Sequence, residues 1–178
     1  MSGRRWRGPV IVGLVVAVAA HGLAIVAIPR AIMGIAVRRI AARAGGANRL
    51  YQAPRPTPAN QQVVRTSPDL AYAICALDLR GGAVRVTVGP ASDYASVAVY
   101  DANTDNVFTV NDRAWTAAGM SLLVARANAP VAAAPGEVVV RLRGSRGVAL
   151  IRRLAPSEGA FARVEGERAG DRCGAGGG

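Results

Sequence analysis

Few side chains in this sequence are grouped as catalysis or ligation would need, and one such group falls between residues 101 and 113. Asn111-Asp112-Arg113 closes the run NVFTV and places an amide, a carboxylate and a guanidinium at one strand end. Such a set can bind a polar ligand, and segments that end strands carry function more often than cores do. The same residues also make an ordinary turn with an exposed ion pair, which contributes little. Just upstream, Asp101, Asn103, Asp105 and Asp112 match positions one, three, five and twelve of a calcium loop. Asn106 stands where that loop's sharp turn takes Gly, and Asp112 stands where a bidentate Glu is usual. The flanks alternate like strands rather than helices. A polar hairpin turn therefore accounts for these residues better, and no metal site is expected. Asp69, Tyr72 and Asp78 could line a pocket for Asp-based hydrolysis or isomerisation, although roles on a strand surface account for them equally.

Other reaction classes are excluded by composition. The single histidine, His21, lies inside an apolar run, so no Ser-His or Cys-His pair is available outside that run. Two cysteines and that histidine cannot form a zinc ligand set, and no glycine loop of the phosphate-binding pattern occurs. No cofactor is expected. An ionisable residue inside an apolar span is a functional candidate by default. For His21 a neutral imidazole bonded to a backbone carbonyl or a partner helix is favoured, because no second ionisable group in the span completes a relay. Cys75 shares a strand face with Ala73 and Leu77, and Cys173 stands just before a glycine tail. An even count, one thiol in the core and one near a loose end, suggests a Cys75–Cys173 staple. It would close a loop of about 100 residues and contribute roughly 4–5 kcal/mol. Such a bond persists only in an oxidising compartment. The alternative is two unrelated thiols.

The elements that must position these residues follow from periodicity. Val84, Val86 and Val88 alternate with Arg85 and Thr87, and the same period recurs at Val97/Val99, Phe108/Val110 and Val138/Val140/Leu142. That pattern predicts half-buried antiparallel strands. About seven are expected, near 70–79, 83–88, 94–100, 106–111, 120–126, 137–143 and 147–153. The fold class is mainly β, an antiparallel β-sandwich or partly closed barrel, preceded by an N-terminal transmembrane helix. Residues 156–168 are expected to form a short helix that Gly159 and Gly166 weaken.

The chain has 178 residues, 51% apolar, with a net charge of +11 and no Lys. Mapping the charge removes its nucleic-acid look. Nine of the 22 Arg lie in residues 1–55, which hold no acid, and the remaining 13 face all 11 acids. Arg beside an apolar run reads as a membrane flank, so no nucleic-acid partner is expected. Pro9 to Ile28 carries no formal charge. A helix of about 20 such residues spans the roughly 30 Å hydrocarbon core of a bilayer. A retained anchor is favoured over a cleaved signal, because the apolar run continues past Ala17-Val18-Ala19, the segment that resembles a cleavage site. Beyond Pro29, Ile32, Met33, Ala36, Val37 and Ile40 share a helical face. A helix in the headgroup layer and an extension of the anchor both fit. The expected organisation is a membrane anchor and helical extension at 1–44, a Pro-rich spacer at 45–68, a β-domain at 69–173 and a disordered Gly-rich tail at 174–178.

The segments HGLAIVAIPR, YAICALDL, VRVTV, YASVAVYD, NVFTVNDR and GVALIRRL carry a resemblance. The chain resembles the short, membrane-anchored members of the bacterial family catalogued as domain of unknown function 1254. The resemblance implies a β-rich domain, commonly encoded beside a second uncharacterised family, with no established activity and hence no catalytic residue to carry over. At Tyr94-Ala95-Ser96 the chain has fewer aromatic residues than the longer members. The expected role is a non-catalytic envelope domain that binds a partner protein. The expected partners are the membrane and a second envelope protein encoded nearby. A ligand- or lipid-binding module and an enzyme using Asp112 and Arg113 are the alternatives. The expected location is the bacterial inner membrane, single-pass, with the C-terminal domain periplasmic.

Overall fold

The computed structural model describes residues 6–57 and 66–176. One helix, α1 (Arg7–Ala44), takes up the N-terminal part. It runs through Pro29 without a break. The missing N–H of Pro29 frees the carbonyl one turn earlier, and Arg30 Nη1 donates to the neighbouring Val26 carbonyl at 2.7 Å. Gly45 ends the helix with φ +74°, and both Gly45 and Gly46 donate to the Ala41 carbonyl. This is the left-handed close that glycine allows at least cost.

The two halves of α1 have different surroundings. Residues 9–28 are exposed save for half-buried Ala24 and apolar save for His21, and α1 is long and apolar enough to cross a membrane. Past Pro29 the helix continues unbroken and lies on a sheet. Met33 and Val37 are buried against Ala76 and Val148, with Ile40, Ala41, Ile74 and Tyr100 around them. The packed face is thus Met33, Val37, Ile40 and Ala41; Ile32, assigned to that face by periodicity, stays 56% exposed. A face that docks on a flat sheet is narrower than a free apolar stripe, so Ile32 falls off its edge.

Residues 45–57 depart from the extended spacer expected at 45–68. Asn48 turns at φ +57°, and its side chain clasps both backbone groups of Asp78, donating to the carbonyl at 2.9 Å and accepting from the N–H at 2.8 Å. Strand β1 (Leu50–Gln52) then pairs antiparallel with β2 (Leu70–Asp78). Three residues are too few to show a period, and the one apolar core contact is Leu50. The rest of that expected spacer, 58–65, lies outside the described residues.

The other strands are β3 (Val84–Val88), β4 (Ala95–Asp101), β5 (Asn106–Asn111), β6 (Met120–Arg126), β7 (Val138–Leu142), β8 (Arg146–Leu154) and β9 (Arg172–Ala175). They form a five-stranded sheet in the order β1-β2-β8-β4-β5 and a four-stranded sheet in the order β7-β6-β3-β9. The alternating residues meet between the sheets: Cys75, Leu77, Val97, Val99, Ala149 and Ile151 from one, and Val84, Val86, Val88, Leu122, Val124, Val140 and Leu142 from the other. The architecture is a mainly-β, two-sheet sandwich.

Two features add detail to this sandwich. β7 runs parallel to β6, because residues 127–137 cross back over the sheet instead of turning in a tight hairpin. β9 takes Gly174 and Ala175 into a sheet, and Gly176 N donates to the Ala83 carbonyl at 2.8 Å. The glycine tail is therefore ordered through Gly176; Gly177 and Gly178 lie outside the described residues. Between β8 and β9 stands the expected helix, α2 (Glu158–Arg168), capped by Ser157, whose hydroxyl accepts from Ala160 N.

Candidate functional site

The Asn111–Arg113 segment folds into a single 3-10 turn after β5. Asn111 Oδ1 accepts from Arg113 N at 3.3 Å, and Asp112 Oδ1 accepts from Ala95 N at 3.1 Å. Asp112 thus secures the first N–H of β4, and no ion pair joins it to Arg113. The segment lies at one end of the five-stranded sheet. The register puts Asn111 in one cross-strand row with Ser96, Arg152 and Tyr72, on the face turned away from the core. In that row Ser96 is 1% exposed with no hydrogen bond to its hydroxyl, and Arg152 Nε is buried without a partner.

The calcium-like residues are occupied by their own backbone. Asp101 is buried, and its Oδ1 accepts from Asn103 N at 2.7 Å and Asp105 N at 3.1 Å. Among the described residues no three His, Cys, Asp or Glu come together. Asp69 and Asp78 lie at opposite ends of the nine-residue β2 and cannot converge. Tyr72 OH accepts from Ser67 N, and Asp78 is paired with Arg80. Arg80 draws the Asp78 carboxyl down to about 2, but that guanidinium is two-thirds exposed, so solvent screens the pair.

The strongest polar cluster is one that periodicity did not single out. Arg153, on the core-facing parity of β8 with Ala149 and Ile151, is almost fully buried. It meets Asp171 through two bonds, Nη1 to Oδ2 at 2.6 Å and Nη2 to Oδ1 at 2.9 Å. Gly89 completes the set: its N–H donates to Asp171 Oδ1 at 2.9 Å and its carbonyl accepts from Arg153 Nη2 at 3.1 Å. Glu167 of α2 approaches Arg153 Nε at 3.9 Å and accepts from Ser92 N at 3.2 Å. A buried charge persists only when paired and hydrogen-bonded. An Arg at core parity in GVALIRRL was the available signal. Arg168 fastens the other side of α2, donating from Nη1 to the carbonyls of Ala53 and Tyr72.

A second fixed carboxylate, Glu137, holds the crossover segment. It pairs with Arg85 at 2.6 Å and accepts from Ser121 Oγ and Ala134 N, at 3.0 Å each. Its side chain is 2% exposed, and the Arg85 bond lowers its carboxyl from 4.5 to about 2. Cys75 of β2 and Cys173 of β9 face one another between the sheets at bonding distance, with Cα atoms 6.4 Å apart. That separation lies within the range a disulfide spans.

Two clefts open where α1 meets the sandwich. One, of about 370 Å³, lies beside Cys173, between Arg49, Gln52 and Arg172. Arg172 is spent on the carbonyls of Ala169 and Asp171. The other, of about 260 Å³, lies between Ile25, Val26, Pro29 and Arg30 of α1 and the β4–β5 turn at Asn103 and Asp105. His21 stands exposed on the apolar half of α1. Taken together, Asp101, Asp112, Glu137, Arg153, Arg168 and Asp171 fasten one segment of the domain to another.

One solved structure shares this architecture, and a second is reported beside it. The crystal structure of the VPA0106 protein from Vibrio parahaemolyticus matches with a TM-score of 0.55 at 15% identity, over 62% of this chain and 28% of that one. A putative uncharacterized protein from Burkholderia cenocepacia matches with a TM-score of 0.47 at 17% identity, over 78% of this chain and 38% of that one. The chain therefore spans well under half the length of either protein. No curated protein matches it. Residues 47–174 match the family described as "Protein of unknown function (DUF1254)", a range that takes in β1 to β8, most of β9 and both Cys75 and Cys173, and the chain belongs to that family.

Proposed function

We propose that this chain is a single-pass protein of the bacterial inner membrane whose β domain lies in the periplasm and binds a partner protein without catalysing a reaction. The observation that carries the reading is the division of α1. From Pro9 to Ile28 its surface is apolar apart from His21, and its second half is packed on the sandwich through Met33 and Val37. Such a helix holds the domain at a set height and orientation above a bilayer, which suits a docking platform better than a tethered enzyme. The facing cysteines favour an oxidising compartment. The Vibrio parahaemolyticus relative of this fold carries far more chain than the matched part.

Carbonate washing of membranes tests the anchor: full-length protein stays in the pellet, and a soluble form beginning at Ala20 overturns it. Purification from mild detergent after chemical cross-linking tests the partner. The expected result is one envelope protein at fixed stoichiometry, with cross-links on residues of the β domain. Cross-links confined to α1, or only between copies of this chain, overturn the partner reading.

A further inference from the structure

We propose that the cleft between α1 and the β4–β5 turn binds the headgroup of phosphatidylethanolamine, a lipid that carries a phosphate and a primary ammonium together. The inference rests on the membrane reading above and adds to it a specific lipid contact by the β domain. The cleft's position comes first. Pro9 to Ile28 accounts for about 30 Å of helix, the thickness of the hydrocarbon core. Pro29 and Arg30 then stand at headgroup level, and the cleft of about 260 Å³ opens at that point. Its helix side is apolar at Ile25 and Val26, so a lipid's glycerol end can continue down α1 while its headgroup turns into the cleft.

The charges in the cleft match a zwitterion. Arg30 spends one guanidinium nitrogen on the Val26 carbonyl, at 2.7 Å, and keeps its other donors for a ligand. Across the cleft, Asn103 and Asp105 use their main chains to shape the turn. Both N–H groups donate to Asp101 Oδ1, and the Asp105 carbonyl accepts from Asp101 N at 3.0 Å. Their side-chain oxygens make no bond within the protein among the described residues. Arg30 and Asp105 line the same space yet form no ion pair with each other. A phosphate matches the guanidinium fork. An ammonium with three N–H donors matches the Asp105 carboxylate and the Asn103 amide oxygen. The trimethylated ammonium of phosphatidylcholine has no N–H to give, and phosphatidylglycerol has no cation for Asp105. The volume is below the roughly 300–1,000 Å³ of sites for drug-sized ligands, which fits a headgroup rather than a whole lipid.

The test uses the full chain in nanodiscs of phosphatidylcholine alone, or with phosphatidylethanolamine or phosphatidylglycerol added. Lipids retained by the released protein are counted by native mass spectrometry. Phosphatidylethanolamine should be retained about tenfold above its share of the bilayer, as one charge-assisted contact allows. Asp105→Asn should abolish that preference while leaving the thermal melt unchanged, because the side chain is exposed. Arg30→Gln should lower retention of all three lipids. Equal retention of phosphatidylethanolamine and phosphatidylcholine overturns the site. So does a preference for phosphatidylglycerol, or an Asp105→Asn variant that keeps the wild-type preference. A chain that fails to enter nanodiscs overturns the anchor and the site together, whereas entry without lipid preference overturns the site alone.

Discussion

The two ends of this chain are held to the same sandwich by opposite means. At the N-terminal end, α1 lies on the outer face of the five-stranded sheet, with Met33 and Val37 against Ala76 and Val148. The contact is apolar, and its strength follows the area removed from water. At the C-terminal end, β9 joins the four-stranded sheet while Asp171 grips Arg153 and Cys173 faces Cys75. Those fastenings depend on geometry, charge and redox state. The difference teaches where each end should fail. Shape and volume govern release of α1, whereas chemistry governs release of α2 and β9.

The largest effect should come from the covalent clamp. Mass spectrometry of non-reduced peptides should show Cys75 linked to Cys173. The Cys75→Ala/Cys173→Ala double variant should lose about 4–5 kcal/mol in denaturant unfolding, because the partners are 98 residues apart. Free alkylation of both thiols in intact, unreduced protein would remove the covalent half of the comparison.

Next comes the ionic clamp. Asp171→Ala strands Arg153 in the interior, and unfolding should become easier by about 3–5 kcal/mol. Because residues 171 and 173 fasten the same short strand, combining this variant with the cysteine pair should give less than the sum of the two losses, as a double-mutant cycle would show. Full additivity would mean that the two clamps act on separate units.

Met33→Ala should weaken the docking of α1 by about 2 kcal/mol, the low end for a buried Met. Hydrogen exchange should quicken in residues 30–44 while the core strands keep their protection. Equal loss of protection in β8 and β4 would show that α1 belongs to the sandwich's cooperative unit, and the contrast between the ends would narrow.

The smallest effect is expected at Glu137, which belongs to neither end. Its folded carboxyl titrates at about 2, against 4.5 unperturbed. A lowered pKa contributes stability that is fully present above about pH 4.5 and is lost as pH falls through 2. Glu137→Gln should cost about 1–2 kcal/mol at neutral pH and flatten the acid-unfolding slope in that window. An unchanged slope would show that the Glu137–Arg85 pair does not set the acid sensitivity.

Alternation alone located seven of the strands to within a residue or two, because a strand with one face in a core must repeat with period two. The charge-free run before Pro29 likewise declared its length and apolar character without reference to any neighbour. Position in space was another matter. Leu50–Gln52 and Arg172–Ala175 are strands only because β2 and β3 offer them open edges; segments this short show no period of their own. The reversed direction of β7 depends on the path of residues 127–137, which Glu137 pins to Arg85. Asp112, a candidate ligand by residue type, turned out to hold the Ala95 N–H, and the partner of Arg153 stood 18 residues downstream beyond a helix. Residue type and period are local properties and can be read along one strand. Which carboxylate meets which guanidinium, and which half of a helix is covered, depends on long-range contacts that only the packed chain creates.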